Sequence, residues 1–158
     1  MKKLCIALTV MMMTSAIAFG QATGSEYTTA AGVKVWPGGI TVKHFIKDDV
    51  ALEGIAYFWN YGFRFTGLYE FHGDINGAPG LKWYIGPGAH IGFYDDDWKY
   101  RYDRDNGVDL GVDGVLGLDY KIKGAPINLS IDWQPSFTFI SRADFRSWGG
   151  VGVRFAFH

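Results

Sequence analysis

From Leu81 onward the chain alternates apolar and polar residues with a period of two over long stretches. Over 81–94, Leu81, Trp83, Ile85, Ala89, Ile91 and Phe93 share one face, opposed by Lys82, Tyr84, Gly86, Gly88, His90 and Gly92. Over 108–122, Leu110, Val112, Leu116, Leu118, Tyr120 and Ile122 oppose Asp109, Gly111, Asp113, Val115, Gly117, Asp119 and Lys121. Over 127–139, Ile127, Leu129, Ile131, Trp133, Phe137 and Phe139 oppose Asn128, Ser130, Asp132, Gln134, Ser136 and Thr138. The last segment, from Trp148 to the end, sets Val151, Val153, Phe155 and Phe157 against Gly150, Gly152, Arg154 and Ala156. No charge falls on the apolar face of these four segments. Strict alternation of this length specifies β-strands with two chemically different faces.

Four further strand-like segments precede them, at 28–36, 40–46, 50–59 and 63–72. Breakers separate all eight: Pro37-Gly38-Gly39, Lys47-Asp48-Asp49, Asn60-Tyr61-Gly62, Gly73–Gly80, Asp95–Gly107, Lys123–Pro126 and Ser141–Ser147. Most segments reach the roughly 9 to 11 residues of a tilted membrane-spanning strand. An even number of antiparallel strands without helices predicts an all-β, up-and-down barrel.

The first 20 residues differ. Met1, Lys2 and Lys3 form a basic start, Leu4 to Phe19 an apolar run, and Ala18 and Gly20 a small-residue cleavage pattern. Together they predict a secretory signal peptide over 1–20 and a mature barrel over 21–158. The apolar run is shorter than the roughly 20 residues of a spanning helix. Cys5, the single cysteine, leaves with the signal, so neither a disulfide framework nor a cysteine metal site is expected. A net charge of −1 without a basic stripe excludes a nucleic-acid partner.

Alternation does not by itself say which face points outward. A soluble barrel would turn the apolar face inward. Here the polar face is mostly Gly, Ser, Ala and Asp, the size that a narrow lumen accommodates, and large aromatics crowd the other face. We therefore turn the apolar face to lipid. Trp36, Phe58, Tyr94 and Trp148 then form one rim girdle, and Phe71, Trp83, Tyr120 and Phe157 the other. Pro135 removes a ladder hydrogen bond and predicts a bulge in the seventh strand.

The strand pattern and the aromatic-rich end, Val151 to Phe157, resemble the small eight-stranded outer-membrane barrels of the OmpX and OmpA-transmembrane type. Val42-Lys43-His44-Phe45, Ala51-Leu52-Glu53-Gly54, Gly67-Leu68-Tyr69-Glu70-Phe71-His72, Gly80-Leu81-Lys82-Trp83-Tyr84 and Gly117-Leu118-Asp119-Tyr120 are similar to an uncharacterised group of such barrels. The resemblance spans the mature chain. It implies outer-membrane localisation, contact with outer-membrane lipid, and a barrel-assembly signal centred on Phe157, which His158 follows. It also implies a periplasmic amino terminus, with the segments at Pro37, Tyr61, Asp95–Gly107 and Ser141–Ser147 at the cell surface.

Candidate chemistry is sparse, and no catalytic residue, cofactor or metal ligand is assigned. His90 faces the polar side without a serine at close spacing on its strand. His44 lies on the lipid-facing parity near a rim, and His72 ends the fourth strand beside a turn. Asp95-Asp96-Asp97 and Asp103–Gly107 invite a calcium reading, but the spacing departs from the EF-hand loop, and Lys99, Arg101 and Arg104 sit among the acids. The inward parity gathers Lys43, Glu53, Arg64, Glu70, Lys82, Asp113, Asp119, Lys121, Asp132 and Arg154. A hairpin centred on Asp48 places Lys43 opposite Glu53, and one centred on Asn76 places Glu70 opposite Lys82. The expectation is a lumen plugged by paired charges in a non-enzymatic barrel that displays surface loops or supports envelope integrity. A lipid-modifying outer-membrane enzyme and a soluble secreted ligand-binding barrel remain the alternatives.

Overall fold

A computed structural model describes residues 27–60, 62–94, 107–140 and 143–157. The segment 1–20, the acidic stretch 95–106 and His158 lie outside the described residues, as do the signal-peptide and calcium readings attached to them. Eight strands follow one another: β1 (Thr29–Val35), β2 (Gly39–Lys47), β3 (Val50–Trp59), β4 (Gly62–Asp74), β5 (Leu81–Tyr94), β6 (Val108–Lys121), β7 (Ile127–Thr138) and β8 (Asp144–Phe157). Each pairs antiparallel with its chain neighbour, and β8 returns to β1 to close the barrel. The closing seam runs from Thr29↔Phe157 to Val35↔Val151. Closure leaves no edge strand, so the sheet carries no open row of unpaired backbone groups.

The two faces separate as the alternation predicts. Ile40 (57% exposed), Val112 (52%), Ile131 (56%) and Phe155 (58%) point away from the barrel, whereas Lys43, Arg64, Glu70 and Gln134 inside it have no exposed surface. The inside is not wholly polar. Tyr27, Phe45, Ala30, Ala51 and Ala156 pack together at the end where the two terminal strands meet. Ile55, Tyr57, Leu68, Tyr84 and Val115 form a second apolar cluster, with Trp59 and Trp148 against it.

Inward glycines make room for the largest inward side chains. A Cβ on Gly117 would meet the Tyr84 ring, one on Gly111 the His90 ring, and one on Gly92 the Asp109 carboxylate. Big residues therefore lie across the cavities that glycines leave, and the interior fills without widening the barrel.

Several local expectations differ. Pro135 interrupts the β6–β7 ladder, but Asp113↔Ser136 and Leu116↔Trp133 on either side keep one register, so no bulge forms there. A missing donor costs one bond; it does not require an extra residue. The register shift lies instead between Phe45 and Lys47 in β2. Phe45 keeps the inward parity of Thr41 and Lys43, and the shift after it leaves Ile46 and Lys47 both exposed beside the tight Asp48-Asp49 turn. β8 begins at Asp144, earlier than Trp148, and β4 runs on to Asp74. Tyr94 and Trp148 face the interior instead of a lipid girdle: Tyr94 donates to Asp109, and Trp148 packs on Tyr57 and Trp59. Trp36 and Phe58 at that end do point outward, as do Phe71, Trp83, Tyr120 and Phe157 at the other.

Candidate functional site

The interior of the barrel is the one place where the described residues concentrate charge. Near the end that carries the termini, Lys43 on β2 lies among three carboxylates. Its Nζ is 2.8 Å from Glu70 Oε2, 3.3 Å from Asp119 Oδ1 and 3.4 Å from Glu53 Oε2. The ammonium also sits over the Tyr84 ring, 4.0 Å from its centroid. Opposite, the Arg154 guanidinium on β8 pairs with Glu53 and donates to Ser130 (2.8 Å), Asn128 (3.1 Å) and Thr41 (3.3 Å). Asp119 accepts further bonds from Asn128 (2.7 Å) and the Tyr27 hydroxyl (3.1 Å). A lysine carries three donors and an arginine five. Two cations can therefore hold three carboxylates from three strands in one network.

A second group lies at mid-height. Lys34 Nζ is 2.6 Å from Asp132 Oδ2, and Asp132 also accepts from the Tyr84 hydroxyl (2.7 Å) and Gln134 Nε2 (3.0 Å). Tyr57 donates to Gln134 Oε1 at 2.9 Å, joining this group to β3.

The third group sits at the far end. Arg64 pairs with Asp113, donates to Ser136 (3.0 Å) and Thr66 (3.1 Å), and stacks over Trp148, 4.5 Å from the ring centroid. His90 Nδ1 is 2.9 Å from Asp113 Oδ2, and its Nε2 is 3.2 Å from Thr138 Oγ1. A carboxylate, an imidazole and a hydroxyl in this order have the connectivity of an orienting acid, a base and a nucleophile. Both His90 and Thr138 are 2% exposed, and Arg64 neutralises the carboxylate. These bonds link β5, β6 and β7 through His90, Asp113 and Thr138.

The structure brings together Lys43, Glu53, Glu70, Asp119 and Arg154 in one cluster and Arg64 with Asp113 in another, while Asp132 stands between them. Lys82 does not join. It faces Asp74 across the β4–β5 ladder, with Nζ 2.6 Å from Oδ1, at the rim. The hairpin expected about Asn76 closes later, through bonds from Ala78 to Ile75 and from Leu81 to Ala78, with Gly77 and Gly80 at positive φ. Glu70 consequently meets Lys43, and its Oε2 also lies 2.9 Å from His72 Nε2. Lys121 caps the carbonyls of Ile122 and Ala125 beside the β6–β7 turn.

Lys34, Asp109 and His72 are interior residues that sequence reasoning did not include among the lumen charges. Lys34 shares parity with Ala30 and Gly32, which was the available signal. His72 continues the inward series of Arg64, Thr66, Leu68 and Glu70, and stacks on Tyr84 with ring centroids 5.1 Å apart. The roles of Tyr27, Tyr57 and Tyr84 as donors inside the barrel had no such signal, because parity places a ring without naming its partner. His44 lies near the seam with Nδ1 2.8 Å from Thr29 Oγ1. Among the described residues no group of histidine, cysteine and carboxylate side chains is placed to hold a metal ion.

No protein-family profile matches the sequence, and no curated protein matches it. Among solved structures the chain is similar to the N-terminal β-barrel domain of Pseudomonas aeruginosa OprF. The two are 17% identical, with a TM-score of 0.58 over 84% of this chain and 100% of that one. The likeness joins the closed antiparallel topology in assigning the fold: an eight-stranded β-barrel of the outer-membrane type.

Proposed function

We propose that the protein is an integral outer-membrane barrel without catalytic activity, akin to the OmpX and OmpA-transmembrane barrels. Export depends on residues 1–20, the side-chain networks close its lumen, and the loops opposite the termini serve surface contact or envelope integrity. The observation that carries this reading is the inversion of the two faces. Apolar side chains cover the outside around the barrel, while the charges are enclosed. In water such a surface has nothing to bury against and exceeds the apolar patches that soluble monomers tolerate. In lipid it is satisfied, and a closed barrel also meets the bilayer's demand that every backbone group be paired.

Membrane fractionation with surface labelling tests it. The protein should sediment with outer membranes, resist carbonate extraction, begin near Gln21, and accept label within 95–107 on intact cells. Release by carbonate would overturn membrane integration and favour the soluble barrel. Labelling only after permeabilisation would overturn the orientation.

A further inference from the structure

The cluster around Lys43 holds unequal numbers of opposite charges. Lys34 is matched by Asp132. That leaves Lys43 and Arg154 to face Glu53, Glu70 and Asp119, all of them buried. Other polar groups packed against the cluster are Tyr27, Thr41, His72, Tyr84, Asn128 and Ser130; Lys82 at the rim has Asp74 as its partner. An uncompensated carboxylate in so enclosed a space is costly, and such groups are neutralised by protons or cations.

Two atoms identify where neutralisation occurs. Glu53 Oε1 receives Arg154 and Thr41, and Glu70 Oε2 receives Lys43 and the His72 side. The remaining oxygens, Glu53 Oε2 and Glu70 Oε1, are buried and accept no hydrogen bond among the described residues. Both carboxyl groups meet at Lys43 Nζ, which lies 3.4 Å from Glu53 Oε2 and 2.8 Å from Glu70 Oε2. They stand on adjacent strands at diagonal inward positions, since Glu53 pairs with Leu68 and Ala51 with Glu70. Lys43 reaches Glu53 Oε2 only at 3.4 Å and leaves Glu70 Oε1 without a donor, so two ionised carboxylates here repel, whereas a single proton shared between them makes a strong hydrogen bond.

We propose that Glu53 and Glu70 form a proton-binding site, a carboxylic acid–carboxylate pair in which Glu70 carries the proton and donates it to Glu53. Glu53 keeps the negative charge because it holds the Arg154 guanidinium. His72 is the other group able to take the proton. Its Nδ1 is buried without an acceptor, so an imidazolium there would strand an N–H. With the proton on Glu70 the cluster is electroneutral and β3 is cross-linked to β4 through side chains. The assignment concerns the interior alone and does not depend on the membrane in which the barrel resides.

Infrared spectroscopy of the purified, folded protein at neutral pH tests it. The wild type should show one protonated-carboxyl C=O stretch, lost in Glu70→Gln, retained in Asp113→Asn at the far end of the barrel, and weakened in Asp119→Asn, which removes the excess negative charge beside Lys43. Absence of the band from the wild type, or its survival in Glu70→Gln, would overturn the proposal. Heat conversion of the folded gel band gives a second readout. The amide introduced by Glu70→Gln can donate to Glu53 and accept from Lys43, so this variant should convert at or above the wild-type temperature. Glu53→Gln should convert lower, because Arg154 loses its counter-charge. A fall in Glu70→Gln equal to that in Glu53→Gln, or failure of Glu70→Gln to fold, would overturn it, since no charge is removed from a protonated residue.

Discussion

Lys43 stands directly across the β2–β3 ladder from Glu53, with its ammonium nitrogen 3.4 Å from Glu53 Oε2. The same nitrogen is closer to Glu70, so one lysine ties β2 to β3, β4 and, through Asp119, to β6. Lys43→Ala strands buried carboxylates and should cost about 3–5 kcal/mol, the usual penalty for breaking a buried pair from one side. The temperature at which the fast-migrating folded band converts to the unfolded one should fall accordingly. Lys43→Ala with Glu53→Ala should cost less than the two singles added, because neighbours in one network couple. Strict additivity in the cycle would refute an energetic link between them.

Arg154 should be less replaceable still. It pairs with Glu53 through Nη2, donates to Ser130 and Asn128 through Nη1, and donates to Thr41 through Nε. A lysine keeps the charge but loses the planar fork, so Arg154→Lys should convert at a lower temperature than the wild type, despite unchanged net charge. Equal conversion temperatures would show that charge alone matters there.

How much of this was legible depended on what each feature needed. The parity of Lys43, Glu53, Arg64 and Arg154 needed only a period of two, which the strand pattern supplies over long runs. The Glu70–Lys82 pairing needed the length of a turn, and Ile75–Gly80 closes later than its composition suggested. A small error in the turn moved Lys82 from Glu70 to Asp74. The inward placement of Tyr94 and Trp148 needed knowledge of what fills the barrel's far end. Both faces of a strand accept aromatics, and only the neighbouring Asp109, Arg64 and Tyr57 settle the matter.

Glycines on the two faces should respond differently. At Gly111 an added side chain would collide with the His90 ring and the Phe137 carbonyl, and at Gly117 with Tyr84 and Asp132. Gly111→Val and Gly117→Val should each destabilise by about 1–3 kcal/mol or more through overpacking. Gly54 and Gly67 face outward with nothing within 4 Å of an added Cβ. Gly67→Ala should be neutral or stabilising by about 0.5–1 kcal/mol, since it reduces the entropy lost on folding. Gel conversion temperatures rank the variants, and equal losses on both faces would contradict the packing of the interior.

Assembly should depend on the end of β8. Phe157 is exposed on the outer face beside Phe155, with ring centroids 6.4 Å apart, and pairs with Thr29 at the closing seam. Phe157→Ser should lower the membrane-inserted yield more than any single change within 95–107, because Phe157 lies on the seam where β8 closes on β1. Equal yields for the two classes would count against recognition of this strand by the assembly machinery.

The last prediction concerns flux. Eight strands leave an interior only wide enough for side chains, and here three networks occupy it in succession along the axis. Lys43 and Arg154 lie at one end, Lys34 with Asp132 at mid-height, and Arg64 with Asp113 at the other. Each joins strands on different sides of the barrel, and Tyr57, Tyr84 and Trp148 fill the space between them. An ion crossing this interior would have to break paired, desolvated charges one network after another. Each network costs several kcal/mol to disrupt, so permeation should be negligible at ordinary voltages. Reconstituted in planar bilayers, the purified protein should give no stable single-channel steps. Removing one network, as in Arg64→Ala with Asp113→Ala, should leave it closed, because two remain. Steady porin-like conductance in the wild type would refute a sealed lumen, and conductance gained in that double variant alone would make the far-end network its only barrier.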